Sequence, residues 1–222
     1  MEQFLEKIAH CVEFGKINLA SPYPPDMKGQ EGVDELTKQA LEQGVSAEDV
    51  LKKALVVGME KVGIKFRENK VYVPQVLMSA KAMHTAMEHL KPFFQSGTVK
   101  RKGVFVIGTV SGDLHDIGKN LVSMMVEGNG WQVVDLGTDV KTEKFLEAAK
   151  TYPGCTLGLS ALLTTTMGNM EKTVKDLKEQ LPDLKILIGG APVNDSFRQK
   201  IGADFYSPDP QGAVEFLNKL SA

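Results

Sequence analysis

The sequence is poor in cysteine and has no long apolar run. Its 222 residues include only two cysteines, too few for the disulfide framework of a small secreted domain. No apolar stretch approaches the roughly 18 residues that a membrane-spanning helix needs. The N-terminal segment MEQFLEKIAH lacks a basic stretch followed by an apolar core, which is the pattern of a secretory signal. These absences predict a cytoplasmic protein without a membrane partner.

An excess of positive charge is also missing. Lys and Arg number 26 against 28 Asp and Glu, so the formal net charge is -2. Proteins that bind nucleic acid usually have a clustered basic surface, whereas the one basic run here, 100–102, is only three residues long. We therefore expect no nucleic-acid partner. The hydrophobic content of 42% is ordinary for a globular protein and excludes a mainly disordered chain.

Residues 1–92 have the apolar periodicity of helices. Ser46 is a good N-cap, and Pro92 is expected to follow the last helix of this region. The proline-rich segment 18–30 predicts a loop. The helices are predicted at 2–14, at 33–43, from Ser46 onward, and from about Pro74. We therefore predict a helical bundle domain over 1–92, followed by a linker at 93–102.

The pattern changes after residue 102. Short apolar runs alternate with helical stretches, which indicates βαβ units and a parallel sheet. The predicted strands are 103–108, 131–137, 155–160, 185–190 and 204–206, and the predicted helices are 116–127, 142–150, 167–181, 194–201 and 211–220. Right-handed crossovers then give a doubly wound, five-stranded, flavodoxin-like or Rossmann-like α/β domain over 103–222.

The best candidate for chemistry follows the first predicted strand. Ligands of open α/β sheets bind beyond the carboxyl ends of the strands, and His115 lies there with Asp113 two residues before it. No second His or Cys is close in sequence, whereas protein-only zinc sites need three or four ligands. A single imidazole therefore suits a metal that brings its own equatorial ligands. A carboxylate beside a ligating histidine typically fixes its tautomer.

The order of motifs resembles a known family. The motif residues are Asp113, His115, Gly118, Ser160, Leu162, Gly189 and Gly190. With the upstream segment GMEKVGIKFRENKVYVPQVLMSAKAM at 58–83, they resemble the cobalamin-binding module of methionine synthase. They are also similar to the small corrinoid proteins of methanol, methylamine, betaine and aryl-methyl-ether methyltransferase systems. The resemblance extends from about residue 33 to the end, and it implies a helical cap before the α/β domain.

The resemblance implies a role for three residues at the metal. His115 would be the lower axial ligand of cobalt in a cobalamin or related corrinoid bound base-off, replacing the cofactor's own base. Asp113 would hydrogen-bond the far nitrogen of that ring. Thr166 stands where methionine synthase has a serine that completes this proton relay, so the residue type differs but a hydroxyl is kept. The bond to His115 would form and break during the cycle, with protons on this chain compensating the charge.

Other positions match the family's cofactor contacts. Gly108, Gly189 and Gly190 would leave room for the displaced nucleotide tail, whose base Ser160 would hydrogen-bond. Thr164 would lie near the corrin rim. The same loops would supply further contacts from Gly112, Leu114, Asp116, Gly118 and Leu162. In the cap, the residues that match those covering the upper, methyl-bearing face are Phe66, Val73 and Val76.

The function implied is that of a methyl carrier, which is not catalytic alone. A substrate-specific methyltransferase would load a methyl group onto cobalt(I). A second methyltransferase would pass it to tetrahydrofolate or coenzyme M, and a reductive activation protein would maintain the cofactor. The cap would have to swing away for transfer, so the 93–102 linker is a predicted hinge.

Other interpretations stay open at this point. A cobalamin-dependent sensor also joins a helical cap to this domain, but residues 1–32 are too short and acidic for its DNA-binding module. A carbon-skeleton mutase would need a substrate barrel, and a flavodoxin-like nucleotide binder would need G-x-G-x-x-G after the first strand. Taken singly, His115 is often a solvent or capping residue in such a loop, and Phe66, Val73 and Val76 are ordinary core residues.

Overall fold

The computed structural model describes residues 2–221. The chain divides into two compact units, Met1–Arg101 with Gly128–Gly130, and Lys102–Glu127 with Trp131–Ala222. Each unit is described by itself below. Within residues 2–221, no helix combines the length and the apolar character needed to cross a membrane.

The first unit is helical. Its elements are α1 (Glu2–Phe14), α2 (Val33–Glu42), α3 (Ala47–Asp49), which runs through a π-helical segment (Val50–Leu55) into α4 (Val56–Arg67), and α5 (Val73–Gln95). The predicted helical character of this region is confirmed. The proline-rich segment is a loop that contains one 3-10 turn, Pro25–Met27.

Local sequence explains where α3 and α4 begin and how they pack. The Ser46 hydroxyl accepts a hydrogen bond from the Asp49 amide at 3.0 Å, which satisfies one free donor of the first turn. Gly58 allows α4 to approach α1 closely, because a Cβ there would lie 2.7 Å from the Ala9 carbonyl oxygen. An apolar stripe of this continuous helical segment is buried throughout: Val50, Leu51, Ala54, Leu55, Gly58 and Val62.

The predicted end of the last helix in this unit is wrong. Helix α5 continues through Pro92 to Gln95, so residues 93–95 of the predicted linker are helical. Proline removes a hydrogen bond to the preceding turn and crowds its carbonyl group. Its own carbonyl still accepts from Ser96 N at 3.0 Å, so the next turn forms. The helix ends where Gly97 adopts a positive φ of 73°.

The second unit alternates strands and helices, as predicted. Its elements are β1 (Val104–Thr109), α6 (Ile117–Gly128), β2 (Gln132–Asp135), α7 (Thr142–Thr151), β3 (Thr156–Ser160), α8 (Met167–Gln180), β4 (Lys185–Gly189), α9 (Asp195–Ile201), β5 (Phe205–Tyr206) and α10 (Pro210–Leu220). Strand β1 is buried from Phe105 to Thr109 and β3 from Thr156 to Leu159, which is typical of central strands covered on both faces.

The sheet has the strand order β2-β1-β3-β4-β5, and all its pairings are parallel. This is the flavodoxin-like order, and it confirms the predicted fold class. The chain winds in opposite directions from β1 and β3, so their carboxyl ends open a crevice between them. The loops after β1, β2 and β3 are therefore where a ligand site is expected.

Candidate functional site

Asp113 lies in the loop after β1 and is completely buried. Its Oδ1 accepts hydrogen bonds from the His115 amide at 3.1 Å and from His115 Nδ1 at 2.8 Å. Its Oδ2 accepts from the amides of Leu162 and Leu163, at 2.8 and 3.2 Å, and from Thr166 Oγ1 at 2.8 Å. The loop after β3 thus supplies three of the five donors.

These donors decide the charge of Asp113. Burial raises the pKa of a carboxyl group, but here the hydrogen bonds from Leu162 N, from the ring and amide of His115 and from Thr166 outweigh it. The pKa of Asp113 is held well below its usual range. The side chain is therefore a buried carboxylate at neutral pH.

The charge of Asp113 in turn sets the tautomer of His115. A carboxylate can only accept, so Nδ1 of the imidazole is the protonated nitrogen that donates to it. In the neutral ring Nε2 then carries the lone pair, and the structure gives this atom no hydrogen-bond partner within residues 2–221. The His115 side chain is half exposed, at 50%. A neutral imidazole oriented in this way is a good metal ligand.

Thr166 completes a hydrogen-bonded chain with the other two residues. It is buried at the end of the 3-10 turn Thr164–Thr166, which precedes α8. Its hydroxyl lies 2.8 Å from Asp113 Oδ2 and 2.9 Å from the Leu163 carbonyl oxygen. The structure therefore brings the three predicted residues together in the order His115, Asp113, Thr166.

Exposed apolar side chains surround His115 on both loops. Leu114 is 74% exposed and Ile117 is 70% exposed, and Leu162 and Leu163 across the crevice are also exposed. Apolar groups grouped around a polar atom typically mark a binding surface. Sequence reasoning singled out Leu114 and Leu162 but missed Ile117 and Leu163. The available signal was a large apolar residue close to a candidate position: Ile117 is two residues after His115, and Leu163 directly follows Leu162.

Other predicted contacts are distributed along the same edge. Gly112 has a φ of 82°, which favours glycine, and Ser160 is half-buried at the end of β3. Asp116 and Gly118 are exposed at the start of α6, and Thr164 is exposed in the turn before α8. The structure thus leaves these residues available at the carboxyl edge of the sheet.

The three glycines predicted to leave room for a ligand differ in how much free space surrounds them. A Cβ at Gly190 would lie 1.8 Å from the Ala161 carbonyl oxygen, and one at Gly108 would lie 2.9 Å from the Phe145 ring. Both positions are therefore closed to larger residues by the protein's own atoms. A Cβ at Gly189 would meet only the Ser207 carbonyl oxygen, at 3.4 Å. Only Gly189 has space that the protein itself does not fill.

A metal held by the protein alone is not supported. Residues 2–221 contain no group of three or more His, Cys, Asp or Glu side chains placed to hold a metal ion. His115 is a lone donor, so it fits a metal that already has its other ligands.

The predicted cap residues lie in the helical unit. Phe66 near the end of α4 and Val73 at the start of α5 are half-buried, and Val76 is fully buried. Three further large side chains in these helices and the turn between them are exposed: Ile64, Tyr72 and Leu77. The buried stripe of α5 runs through Val76, Ser79, Ala82, Met83, Ala86 and Leu90.

Comparison with known proteins identifies the family. A sequence model described as a B12 binding domain matches residues 103–214, and a second model with that description matches 29–91. The chain is 41% identical over 177 residues to dimethylamine corrinoid protein 1 of Methanosarcina acetivorans, covering 78% of this chain and 83% of that protein. It is 38% identical over 197 residues to trimethylamine corrinoid protein 1 of the same organism, covering 87% and 90%.

A solved structure agrees with these relatives. The methanol:cobalamin methyltransferase complex MtaBC from Methanosarcina barkeri contains a chain that is 31% identical, with a TM-score of 0.81. The match covers 99% of this chain and 80% of that chain. The chain therefore belongs to the cobalamin-binding corrinoid proteins of methyltransferase systems.

Proposed function

We propose that this protein is the corrinoid methyl carrier of a methyltransferase system and that His115 is the lower axial ligand of its cofactor. The main support is the series of hydrogen bonds from His115 Nδ1 through buried Asp113 to Thr166. This arrangement leaves Nε2 free at the carboxyl edge of the sheet. When bound, a corrinoid supplies a cobalt centre that can accept and release a methyl group.

The residues present fit such a group. A corrinoid brings the equatorial ligands of its metal, so it needs only one protein donor, and His115 offers one at the carboxyl edge of the sheet. The exposed side chains of Leu114, Ile117, Leu162 and Leu163 provide apolar surface around that donor. Gly189 pairs with the half-buried Ser160 at this edge of the sheet, and the space beside Gly189 supports the proposal that the nucleotide tail lies against these two residues.

Asp113 and Thr166 would control the proton on His115. While Nε2 acts as a ligand, the Asp113 carboxylate holds the single ring proton on Nδ1 and makes the imidazole a stronger donor. Asp113 would also hold the ring in place when Nε2 is not engaged as a ligand, because its contacts with the His115 amide and Nδ1 are made without a cofactor. The Thr166 hydroxyl donates to Oδ2 and lowers the pKa of Asp113, which favours the ionised carboxylate.

Two further proposals concern the helical cap and the hinge that connects it to the α/β unit. Phe66, Val73 and Val76 are proposed to cover the upper face of the cofactor. Between α5 and β1 the chain has no regular secondary structure, and only Val99 is buried there. We propose that this connection lets the helical unit move during transfer.

The partners follow from the same proposal. The similar chain from M. barkeri was solved in a methanol:cobalamin methyltransferase complex, and the similar M. acetivorans proteins are named for dimethylamine and trimethylamine. These likenesses support a substrate-specific methyltransferase as the partner that loads the methyl group. A second methyltransferase acting on tetrahydrofolate or coenzyme M, and a reductive activation protein, complete the proposed system.

The decisive experiment mixes the purified protein with hydroxocobalamin, removes unbound cofactor by desalting and records the visible spectrum. Wild-type protein and a His89→Ala control should retain colour with the spectrum of a histidine-ligated, base-off corrinoid. His115→Ala should lose that spectrum and bind more weakly. Colourless wild-type protein would overturn cofactor binding, whereas an unchanged spectrum in His115→Ala would overturn the ligand assignment.

A second measurement tests the carrier role. The cobalamin-loaded protein is reduced and incubated with methyltransferases specific for methanol, monomethylamine, dimethylamine or trimethylamine, each with its substrate. One of these should methylate the bound corrinoid, and the methylated protein should then pass the group to a second methyltransferase. Absence of methylation with every enzyme, under conditions in which each methylates its own corrinoid protein, would reject the carrier role in these systems.

A further inference from the structure

The loop that presents Asp113 and His115 is held on its N-terminal side by Asp139, from the loop after β2. Asp139 Oδ1 accepts hydrogen bonds from Gly112 N at 2.7 Å and from Ser111 Oγ at 3.2 Å. The Asp139 amide donates to the Asp113 carbonyl oxygen at 3.0 Å. The bonds from Gly112 and Ser111 lower the pKa of Asp139, so its carboxylate is charged at neutral pH.

The conformation of Asp139 adds to this observation. Its φ is 52°, in the left-handed region that few residues other than glycine adopt, although aspartate tolerates it better than most. A glycine here would relieve the backbone but would remove the carboxylate. The side chain that anchors the neighbouring loop is therefore placed on a backbone that does not favour it, which is typical of positions with a specific role.

The loop is held on its C-terminal side by Thr109, the last residue of β1. Thr109 is completely buried, and its hydroxyl donates to the His115 carbonyl oxygen at 2.8 Å. Its own amide donates to Gly137 O and its carbonyl accepts from Val140 N, both at 2.9 Å. The hydroxyl is therefore attached to a backbone that is itself tied to the loop after β2.

We propose that Thr109 and Asp139 are positioning residues that fix the main chain on either side of the Asp113–His115 pair before any cofactor binds. The proposal rests on the proposed role of His115 as the axial ligand. Thr109 bonds the His115 carbonyl oxygen and Asp139 bonds the Gly112 amide, so both act through the backbone and not on the imidazole. A loop released at one end would sample conformations in which the Nδ1–Asp113 bond is lost and Nε2 points elsewhere. Prior ordering of a binding group strengthens binding by lowering its entropic cost.

Two matched pairs of variants test the proposal. Thr109→Val removes the hydroxyl and keeps the shape, whereas Thr109→Ser restores the hydroxyl. Asp139→Gly removes the carboxylate and suits the positive φ, whereas Asp139→Asn keeps an oxygen that can accept from Gly112 N. A further control, Thr173→Val, removes another buried hydroxyl, which pairs with Thr142 Oγ1 at 2.9 Å on helices α7 and α8.

Each apo protein is titrated with hydroxocobalamin, and the dissociation constant, the visible spectrum and the melting temperature are recorded. Thr109→Val and Asp139→Gly should bind about 10- to 100-fold more weakly, the usual effect of losing a group that orients a metal ligand. Their bound spectra should show a reduced fraction with histidine ligation. Thr109→Ser, Asp139→Asn and Thr173→Val should keep the wild-type spectrum and bind within a few-fold of wild type.

The outcomes separate this inference from the proposed function. If wild-type protein binds cobalamin and the two anchor variants fold but keep its affinity and spectrum, the positioning role is wrong while the carrier proposal stands. If wild-type protein binds no cobalamin, the proposed function fails and the inference fails with it. If Thr109→Val does not fold, Asp139→Gly decides, since Asp139 is an exposed residue whose loss should not unfold the domain.

Discussion

The molecule contains two histidine–aspartate pairs of almost equal length in its two units. In the helical unit, His89 Nε2 lies 2.7 Å from Asp34 Oδ1, and in the α/β unit His115 Nδ1 lies 2.8 Å from Asp113 Oδ1. The Asp34 side chain is 43% exposed, whereas that of Asp113 is 0% exposed and accepts from four further donors. The distance therefore does not distinguish the two pairs. They differ in the burial of the aspartate and in the number of donors that it accepts from.

The comparison shows which residue of a pair is structural. Water can replace His89 as a partner of Asp34, so that pair resembles a surface ion pair, which contributes little to stability. Asp113 cannot be hydrated, so removal of its carboxylate leaves buried donors without acceptors. In the second pair the aspartate thus supports the fold of the site, and the exposed histidine is free to bind a ligand.

The largest expected difference is in stability when each aspartate is removed. Asp113→Ala removes the shared acceptor of the amides of Leu162, Leu163 and His115, so we expect a loss of about 3–5 kcal/mol in the free energy of unfolding. Asp34→Ala should cost below about 1 kcal/mol. Urea denaturation of the apo proteins measures both. Equal losses would contradict the distinction between the two pairs.

A smaller effect is expected at Thr166. Thr166→Val removes one of the five donors to Asp113, and a hydrogen bond to a charged group is worth about 1.5–3 kcal/mol. Thr166→Ser should restore most of this loss, because it keeps the hydroxyl. Urea denaturation of the apo proteins measures the free energy of unfolding of both variants. A serine variant as unstable as the valine variant would mean that the methyl group, and not the hydroxyl, accounts for the effect.

The pH dependence of stability should also reveal the buried carboxylate of Asp113. The pKa of Asp113 is lower in the folded protein than its ordinary value of 3.8, so its stabilising effect is complete above that value and is lost as the pH falls. From about pH 5 to about pH 3, wild-type protein should lose about 1 kcal/mol more than Asp113→Asn. An Asp113→Asn curve parallel to wild type would contradict the assignment.

The smallest effect is expected when the histidines are removed. His115 is half exposed, and Asp113 retains three donors from the loop after β3 without it, so His115→Ala should change the unfolding free energy of the apo protein by below about 1 kcal/mol. His89→Ala should behave similarly. Thermal unfolding without cofactor checks this. A large loss in His115→Ala alone would show that the imidazole also has a structural role.

The order of helices and strands could be predicted from the sequence because their periodicities are local. The alternation after residue 102 indicated the parallel sheet, and the i, i+2 spacing placed Asp113 beside His115. The end of α5 could not be predicted from Pro92 alone, because one missing hydrogen bond costs less than the last turn gains from its remaining bonds. Thr166 was identified by family resemblance and not by its position in the sequence.

Other features of the site depend on contacts between distant segments. The amides of Leu162 and Leu163 reach Asp113 across about 50 positions of sequence, and no residue pattern marks a backbone donor. The anchors Thr109 and Asp139 are ordinary strand-end and loop residues in sequence. The glycine at 190 was predicted to leave room for a ligand, whereas the structure shows a close approach to Ala161 within the protein.

The sequence by itself determined the two-part organisation, the parallel sheet and the candidate histidine with its neighbouring carboxylate. These features depend on periodicity and on short spacings, which are properties of the local sequence. Only the tertiary structure decided that Asp113 is a buried carboxylate, that His115 keeps Nε2 free, and which backbone groups hold them. Charge and tautomer depend on desolvation and on donors from other loops, and folding alone brings those groups to the site.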